Sequence, residues 1–414
     1  MIDLPPTMSF RDYTENIVDN NKGFIAEVIY KGSLKYMSDM DNLIHNVEES
    51  YFKTEDLLFY DKVILSGEQI DKMLTCDFKN MPLFKRVRRL RGIIYSKIKD
   101  ERNILVNLIQ KDYKDRIENM TEEELNDFQV DLEYKRRNKI RSVIGEVIKI
   151  KKEKLKWMNE PDVISIYNDF NSNRPLIYND LAAILYLKIK LEGMKYNGGI
   201  RHIVIDEAQD YSPLQFWVIK ELTDCKSYTI VGDINQRIIS SADKCAMMGL
   251  KDIFTDIEVK NFLLDKSYRS TNEIITYANR YLKHNKIISL VRTGKEVIEK
   301  QIDNHKELVD KILYNVVELK ERGYESIAVI CRDLKNTEAL SNLIKRRMHI
   351  NLIDRENMIY SSGEVILPAY FAKGLEFDAV IMVDTSQSNN DTLKYIMATR
   401  ALHELYVYKT SSIN

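Results

Sequence analysis

The chain has 414 residues, 44% hydrophobic and 30% charged, with 62 Lys+Arg against 63 Asp+Glu and a formal net charge of −1. That length allows two or three domains at roughly 100–200 residues each, and the composition fits a packed chain rather than a disordered one. The even balance excludes nucleic-acid binding through a whole-molecule field, so any such affinity must come from local basic patches.

The four cysteines, Cys76, Cys225, Cys245 and Cys331, are widely spaced with no CxxC pair. They read as thiols in a reducing compartment rather than as disulfides or zinc ligands. The opening "MIDLPPTMSF" lacks the basic and apolar regions of a signal peptide, and no run approaches about 18 uncharged apolar residues. A cytoplasmic protein with no membrane contact is expected.

Residues 1–195 read as a helical arm rich in charge. "LFKRVRRLRGIIYSKIKDERNILVNLIQKDY" (83–113) repeats Leu83, Val87, Leu90, Ile94, Ile98, Leu105 and Leu108 at helical spacing. Thr121 followed by Glu124 is a capping-box start. The helix it opens is expected to run on to Pro161. Two basic stretches lie here: Lys85, Arg86, Arg88, Arg89 and Arg91, then Lys135, Arg136, Arg137, Lys139 and Arg141. They could meet nucleic acid or a polymerase surface, although acidic neighbours favour a solvated helix face.

The texture changes near residue 199. "IRHIVID", "SYTIVGD", "SIAVICRD", "GEVILPAY" and "DAVIMVDT" are Ile/Val-rich runs separated by helical segments. That alternation predicts an α/β fold with parallel sheets covered on both faces. A composition shift around residues 285–300 suggests a crossing or insertion.

Each candidate chemical residue lies near the end of such an element. Asp206 and Glu207 close the strand in "RHIVIDEAQD", where the first carboxylate could hold Mg²⁺ and the second could orient and deprotonate a water. In "YTIVGDINQRI", Gln236 lies just past a strand end and could hydrogen-bond a γ-phosphate. In "KSYRSTNE", Tyr268 offers a π-face and Arg269 a bidentate phosphate donor. "YFAKGLEFDAVI" supplies Lys373, Gly374 and Glu376 in a loop before a strand. "LKYIMATRALHEL" presents Arg400 near an expected helix start, where it could stabilise a transferring phosphoryl group.

In this fixed order the stretches resemble motifs II to VI of superfamily 1 helicases of the UvrD/Rep type, over about residues 195–414. "LIYNDLAAILYLKIKLEG", "IDEAQDYSPLQF" and "AKGLEFDAVI" look most like the HelD-type factors, which bind RNA polymerase and recycle it with ATP. The resemblance implies RecA-like P-loop NTPase domains, with ATP and Mg²⁺ as cofactors. It implies 1–195 as the helical region, 196–256 as the remainder of a first RecA-like domain, and 257–414 as a second. It makes Asp206 the metal ligand, Glu207 the catalytic base, Gln236 the γ-phosphate sensor, and Arg269 and Arg400 the arginine fingers. Tyr268 would stack near the adenine, Glu376 would contact the ribose or the metal-side network, and Gly374 would let the backbone come close to a phosphate or ribose. Single-stranded or duplex DNA is the implied partner, with RNA polymerase as an alternative.

Two departures stand out. None of the 14 glycines opens a G-x-x-x-x-G-K-[ST] phosphate cradle; the one Gly-Lys pair, Gly294-Lys295, precedes Glu296. The chain alone is therefore expected to bind ATP poorly, with an open edge on its first sheet and a possible complement in another polypeptide. The run "QRIISSADKCAMMGL" (236–250) also lacks the aromatics that stack on single-stranded bases, worth about 1–3 kcal/mol each. Three readings follow: a DNA helicase or translocase, a polymerase-recycling motor, or a non-enzymatic remnant that binds a partner.

Overall fold

The computed structural model describes residues 4–238, 246–282, 286–290, 292–354, 363–385, 391–411 and 413. The first half is helical. α1 (Phe10–Val18), α2 (Lys22–Lys31) and α3 (Leu34–Tyr51) each start on a side-chain cap, from Ser9, Asn21 and Ser33 respectively. Such caps are worth about 1 kcal/mol each, because they satisfy amide groups that the first helical turn leaves free.

A short antiparallel hairpin follows, β1 (Leu57–Phe59) and β2 (Lys62–Leu65), and then α4 (Gly67–Lys72). Helical periodicity did not reveal this hairpin, because each strand is at most four residues long. α5 (Leu83–Glu118) and α6 (Glu122–Lys149) form an antiparallel helical hairpin. At 36 residues α5 is about 54 Å long. The expected capping box is present: Glu124 accepts from the Thr121 amide at 2.9 Å, and Thr121 caps the Glu124 amide. The expected continuation to Pro161 is not observed. The α-helix ends at Lys149 and passes through a wide turn at Ile150–Lys154 and a tight one at Lys156–Met158. Ile150, Leu155 and Met158 turn inward there onto Leu90, Ile94 and the hairpin. Burying three apolar side chains, at about 1.5–3 kcal/mol each, outweighs continued helix.

α7 (Val163–Phe170) and α8 (Tyr178–Leu187) pack with α3 and the start of α5. At their centre Lys31, 4% exposed, bridges Glu27 at 2.6 Å and Asp180 at 2.7 Å. The Tyr167 hydroxyl donates to the same Asp180 and shares a 2.6 Å contact with Tyr36. Buried charges demand such partners.

The chain then builds a small parallel pair, β3 (Ile203–Ile205) and β4 (Tyr228–Ile230), linked by α9 (Pro213–Thr223). α10 (Leu250–Ile253) closes their shared core. Among the described residues this sheet has two strands. A second parallel pair, β5 (Lys266–Ser267) and β6 (Ile288–Ser289), flanks α11 (Asn272–Ala278).

The rest is one six-stranded parallel sheet. In chain order it uses β7 (Ile298–Gln301), α12 (His305–Glu321), β8 (Ser326–Cys331), α13 (Leu334–Ile344), β9 (Asn351–Leu352) and β10 (Gly363–Pro368). β11 (Phe377–Thr385), α14 (Asp391–Ala398) and β12 (Ala401–Thr410) complete it. The spatial order is β7-β12-β11-β8-β10-β9. α11 and α14 cover one face, and α12 and α13 the other. This is the predicted doubly covered parallel sheet, and β8, β10 and β11 are nearly continuous apolar runs for that reason. Val18 of α1 also enters this core, so the first helix ties the helical region to the large sheet.

Candidate active site between two sheets

The site begins at the end of β3. Ala208 N donates to Val231 O and Val231 N to Ile205 O, both at 2.9 Å, so the two strand ends are locked side by side. Asp206 caps the turn by accepting from the Glu207 amide at 2.7 Å. Glu207 itself has φ of +51°, a left-handed conformation that is costly for a residue with a Cβ. The next side chains hold it there. The Gln209 amide donates to the Glu207 carboxylate, while its oxygen accepts from the Asp233 amide at 3.0 Å. Gly232 permits that arrangement, because a Cβ there would sit 2.4 Å from the Gln209 oxygen and 2.9 Å from Ala208 N.

Asp233 organises the end of β4. It accepts from Asn235 N and Gln236 Nε2 at 2.9 Å, and from the Tyr395 hydroxyl at 3.2 Å. Tyr395 lies on α14, so this bond crosses to the large-sheet unit. Its buried phenol sits well above the usual tyrosine range, through burial first and the Asp233 charge second.

Two further cross-contacts complete the cleft. Arg400 Nη2 donates to Gln236 Oε1 at 3.0 Å. Lys373, in the loop between β10 and β11, pairs with Asp210 and lies 3.6 Å from Glu207 Oε2. Burial lifts the Asp210 carboxyl above its ordinary range, and Lys373 pulls it back. Arg269 Nη2 meets Glu376 Oε1 at 2.9 Å.

Arg400 is 2% exposed and does not lie at a helix start as expected. It falls in the turn between the end of α14 and β12. The stretch "ALHEL" opens β12 rather than a helix: Ala, Leu and Glu carry strong helix propensity, which the sheet overrides. In this turn the guanidinium donates to Ile396 O at 3.2 Å and Leu375 O at 3.3 Å, so backbone carbonyls aim it at the cleft. Burial depresses its basicity, opposed by the Glu207 and Glu376 charges and assisted by Arg269.

The structure thus draws Glu207, Gln236 and Arg400 together, with Arg269 and Glu376 beside them. Asp206 precedes Glu207 in the chain, and its side chain is exposed. Tyr268 stands 67% exposed next to Arg269. Gly374 adopts φ of +79°, which favours glycine, and no heavy atom lies within 4 Å of where its Cβ would be. Sequence reasoning assigned no role to Lys373, Gln209, Asp233 or Tyr395. For Lys373 a signal existed, a cation in the same loop as Glu376, but its partner 163 residues away is invisible without the fold.

Among the described residues no group of three His, Cys, Asp or Glu side chains could hold a metal by itself. A lone carboxylate such as Asp206 still suits Mg²⁺, which commonly keeps waters and phosphate oxygens as its other ligands. No helix among the described residues is long and apolar enough to cross a membrane. Cys76, Cys225 and Cys331 are free thiols, while Cys245 and the rest of 239–245, the middle of the aromatic-free run, lie outside the described residues.

Parallel sheets facing one another across a cleft of acid, glutamine and arginine side chains define a helicase-like α/β protein. Residues 13–241 match the UvrD/REP helicase N-terminal domain, and the chain belongs to that family. It is 24% identical over 258 residues to a probable DNA helicase II homolog of Mycoplasma capricolum, covering 58% of this chain and 36% of that protein. It is 28% identical over 133 residues to the ATP-dependent DNA helicase PcrA of Staphylococcus epidermidis, covering 30% of this chain and 18% of PcrA. The match therefore spans about a third or less of these relatives' length. Among solved structures, the C-terminal domain of a possible DNA helicase from Lactobacillus plantarum is 28% identical, covering 36% of this chain and 90% of that one at a TM-score of 0.31.

Proposed function

We propose that the chain contributes the hydrolytic half of an ATP-dependent DNA motor of the UvrD/Rep/PcrA type, with the nucleotide bound in the cleft between β3–β4 and the large sheet. The observation that carries this reading is the 3.0 Å bond from Arg400 to Gln236, which joins residues 164 positions apart across that cleft. Asp206 would hold Mg²⁺, which would neutralise phosphate charge. Glu207, fixed by Gln209, would orient the attacking water and take its proton. Gln236 would sense the γ-phosphate, and Arg400 and Arg269 would stabilise charge on the transferring group. Tyr268 would stack on the adenine, and Glu376, beside Gly374, would contact the ribose. DNA is the proposed substrate, in keeping with the names of the relatives.

The glycine-rich cradle whose amides grip β- and γ-phosphates has no counterpart in these 414 residues. We therefore propose that the chain alone binds ATP weakly and that another polypeptide segment supplies the cradle. A second reading, RNA-polymerase recycling of the HelD type, is favoured by the aromatic-free run after Gln236, which weakens base stacking.

The deciding experiment is Mg-ATP turnover by the purified chain with and without single-stranded DNA, beside Glu207→Gln. Turnover abolished by that substitution and stimulated by DNA supports a DNA motor with a self-sufficient site. Turnover insensitive to DNA but stimulated by RNA polymerase supports the second reading. Turnover no higher than that of Glu207→Gln sinks autonomous hydrolysis and leaves the complemented motor, tested by adding a cradle-bearing segment.

A further inference from the structure

α1 is too short to be stable by itself, yet it touches both halves of the molecule. Arg11, Glu15 and Val18 recur at steps of four and three residues, so at about 100° per residue they share one stripe, with Tyr13 on the opposite side. The stripe lies on the large-sheet unit. Arg11 pairs with Glu338 of α13 at 3.3 Å, Val18 is buried in the sheet core, and the Val18 carbonyl accepts from Arg332 at 2.7 Å. On the other side the Tyr13 hydroxyl donates to Asn179 of α8 at 2.9 Å.

Glu15, in the middle of the stripe, reaches the loop between β10 and β11. Its Oε1 accepts from the Leu334 amide at 3.1 Å and from the Tyr370 hydroxyl. Tyr370 is 4% exposed, and burial followed by the Glu15 contact raises its phenol well above the usual tyrosine range, so it stays a donor. A tyrosine that served the core alone would need no carboxylate at its hydroxyl; a phenylalanine ring would fill the same space.

The loop beyond Tyr370 is the part of the large-sheet unit that reaches into the cleft. Within six residues it offers Lys373 to Asp210, the Leu375 carbonyl to Arg400 at 3.3 Å, and Glu376 to Arg269 at 2.9 Å. Its internal backbone bonds, Phe371 N to Pro368 O at 3.1 Å and Leu375 N to Ala372 O at 3.0 Å, shape the loop without tying it to the helical region. The Tyr370 hydroxyl supplies that tie. A contiguous path therefore runs from α1 through Glu15 and Tyr370 to the groups that cross the cleft.

We propose that Tyr370 is a positioning residue for the cleft: its hydroxyl, held by Glu15, fixes the loop that presents Lys373, Leu375 and Glu376, so the helix α1 sets how the large-sheet bank meets the β3–β4 bank. Its bearing on hydrolysis rests on the reading of the cleft given above. The positioning itself needs no nucleotide, so a chain inert toward ATP would refute that reading and leave this one to its own test.

Hydrogen exchange of the whole chain, read by mass spectrometry at short labelling times, is that test. Tyr370→Phe keeps the ring and removes the hydroxyl, Glu15→Ala removes the acceptor, and Glu15→Gln keeps an oxygen that can serve both donors. The first two should speed exchange by about tenfold or more at 369–376. They should also speed it at 208–211 on the opposite bank, which a purely local packing role would not move. β8 should stay protected, and Glu15→Gln should stay close to the parent. In a Lys373→Met background, Tyr370→Phe should add little at 208–211, because the link to Asp210 is already cut. A loop that loosens while 208–211 stays unchanged overturns the proposal. So does loosening spread evenly over the molecule, no change at all, or a response at 208–211 that persists in full beside Lys373→Met.

Discussion

Arg400 and Gln236 meet across the cleft at 3.0 Å, and both ends of that bond are held by something else. Gln236 is fixed through Nε2 to Asp233, and Arg400 by the carbonyls of Ile396 and Leu375. A change at either end is therefore transmitted to the other unit rather than absorbed by a loose side chain.

Arg400→Lys keeps the charge but loses the fork that serves several acceptors at once. The variant should fold and lose stability by about 1–3 kcal/mol, from buried acceptors left unmatched. Where turnover is measurable it should fall by about 10³-fold, the scale for an arginine at a transferring phosphoryl group. Thermal unfolding beside single-turnover hydrolysis separates the two effects. Unchanged hydrolysis would remove Arg400 from the chemistry.

Gly232→Ala tests the clamp on Glu207. The new methyl would overlap the Gln209 side chain and its backbone amide, which at 3.0 Å is also too close. A cost of about 1–3 kcal/mol is expected from overpacking, read in urea denaturation. Gly374→Ala should be milder sterically, since its surroundings are open and only the backbone conformation at φ of +79° resists the change.

Lys31→Met should be among the most damaging substitutions in the helical region. It leaves Asp180, which is fully buried, without its cation, and Glu27 with only the distant Arg174 at 3.9 Å. Breaking a buried pair by removing one partner costs about 3–5 kcal/mol. Lys31→Met combined with Asp180→Asn should recover part of that loss, and chemical denaturation of the two variants shows whether it does.

Glu404 sets a pH dependence. It is 4% exposed and accepts from Arg322 at 2.6 and 2.7 Å, from the Tyr324 hydroxyl at 2.9 Å, and pairs with Lys295 at 3.3 Å. Burial pushes its carboxyl up, but Tyr324, Arg322 and Lys295 together bring it below the ordinary glutamate range. A depressed folded value means the stabilisation is complete above the unfolded-state range and is lost as pH falls through the lower, folded one. Glu404→Gln should therefore be less stable than the parent at neutral pH, with the gap closing in acid. Melting curves across the acid range check the sign; a gap that widens in acid would refute it.

How much of this was legible beforehand differs by element. β8, β10 and β11 were evident because strands buried on both faces must be apolar along their whole length. β12 was hidden by helix-forming Ala, Leu and Glu, and the β1–β2 hairpin by its brevity. In the cleft, Glu207, Gln236 and Arg269 could be nominated because each ends a recognisable strand or precedes a helix. Gln209, Asp233, Tyr395 and Lys373 could not, since their work consists of contacts with residues distant in sequence, such as Tyr395 with Asp233 at 162 positions.

The two banks of the cleft rest on foundations of unequal strength. Asp206 and Glu207 hang from a three-residue strand whose central Val204 is 67% exposed, in a sheet of two strands. Lys373, Glu376 and Arg400 hang from six strands buried on both faces. Few backbone bonds need to break for the first bank to open, so its amides should exchange with solvent well before those of β8 or β11. The large-sheet bank is then the fixed frame, and the β3–β4 bank is the side expected to open first.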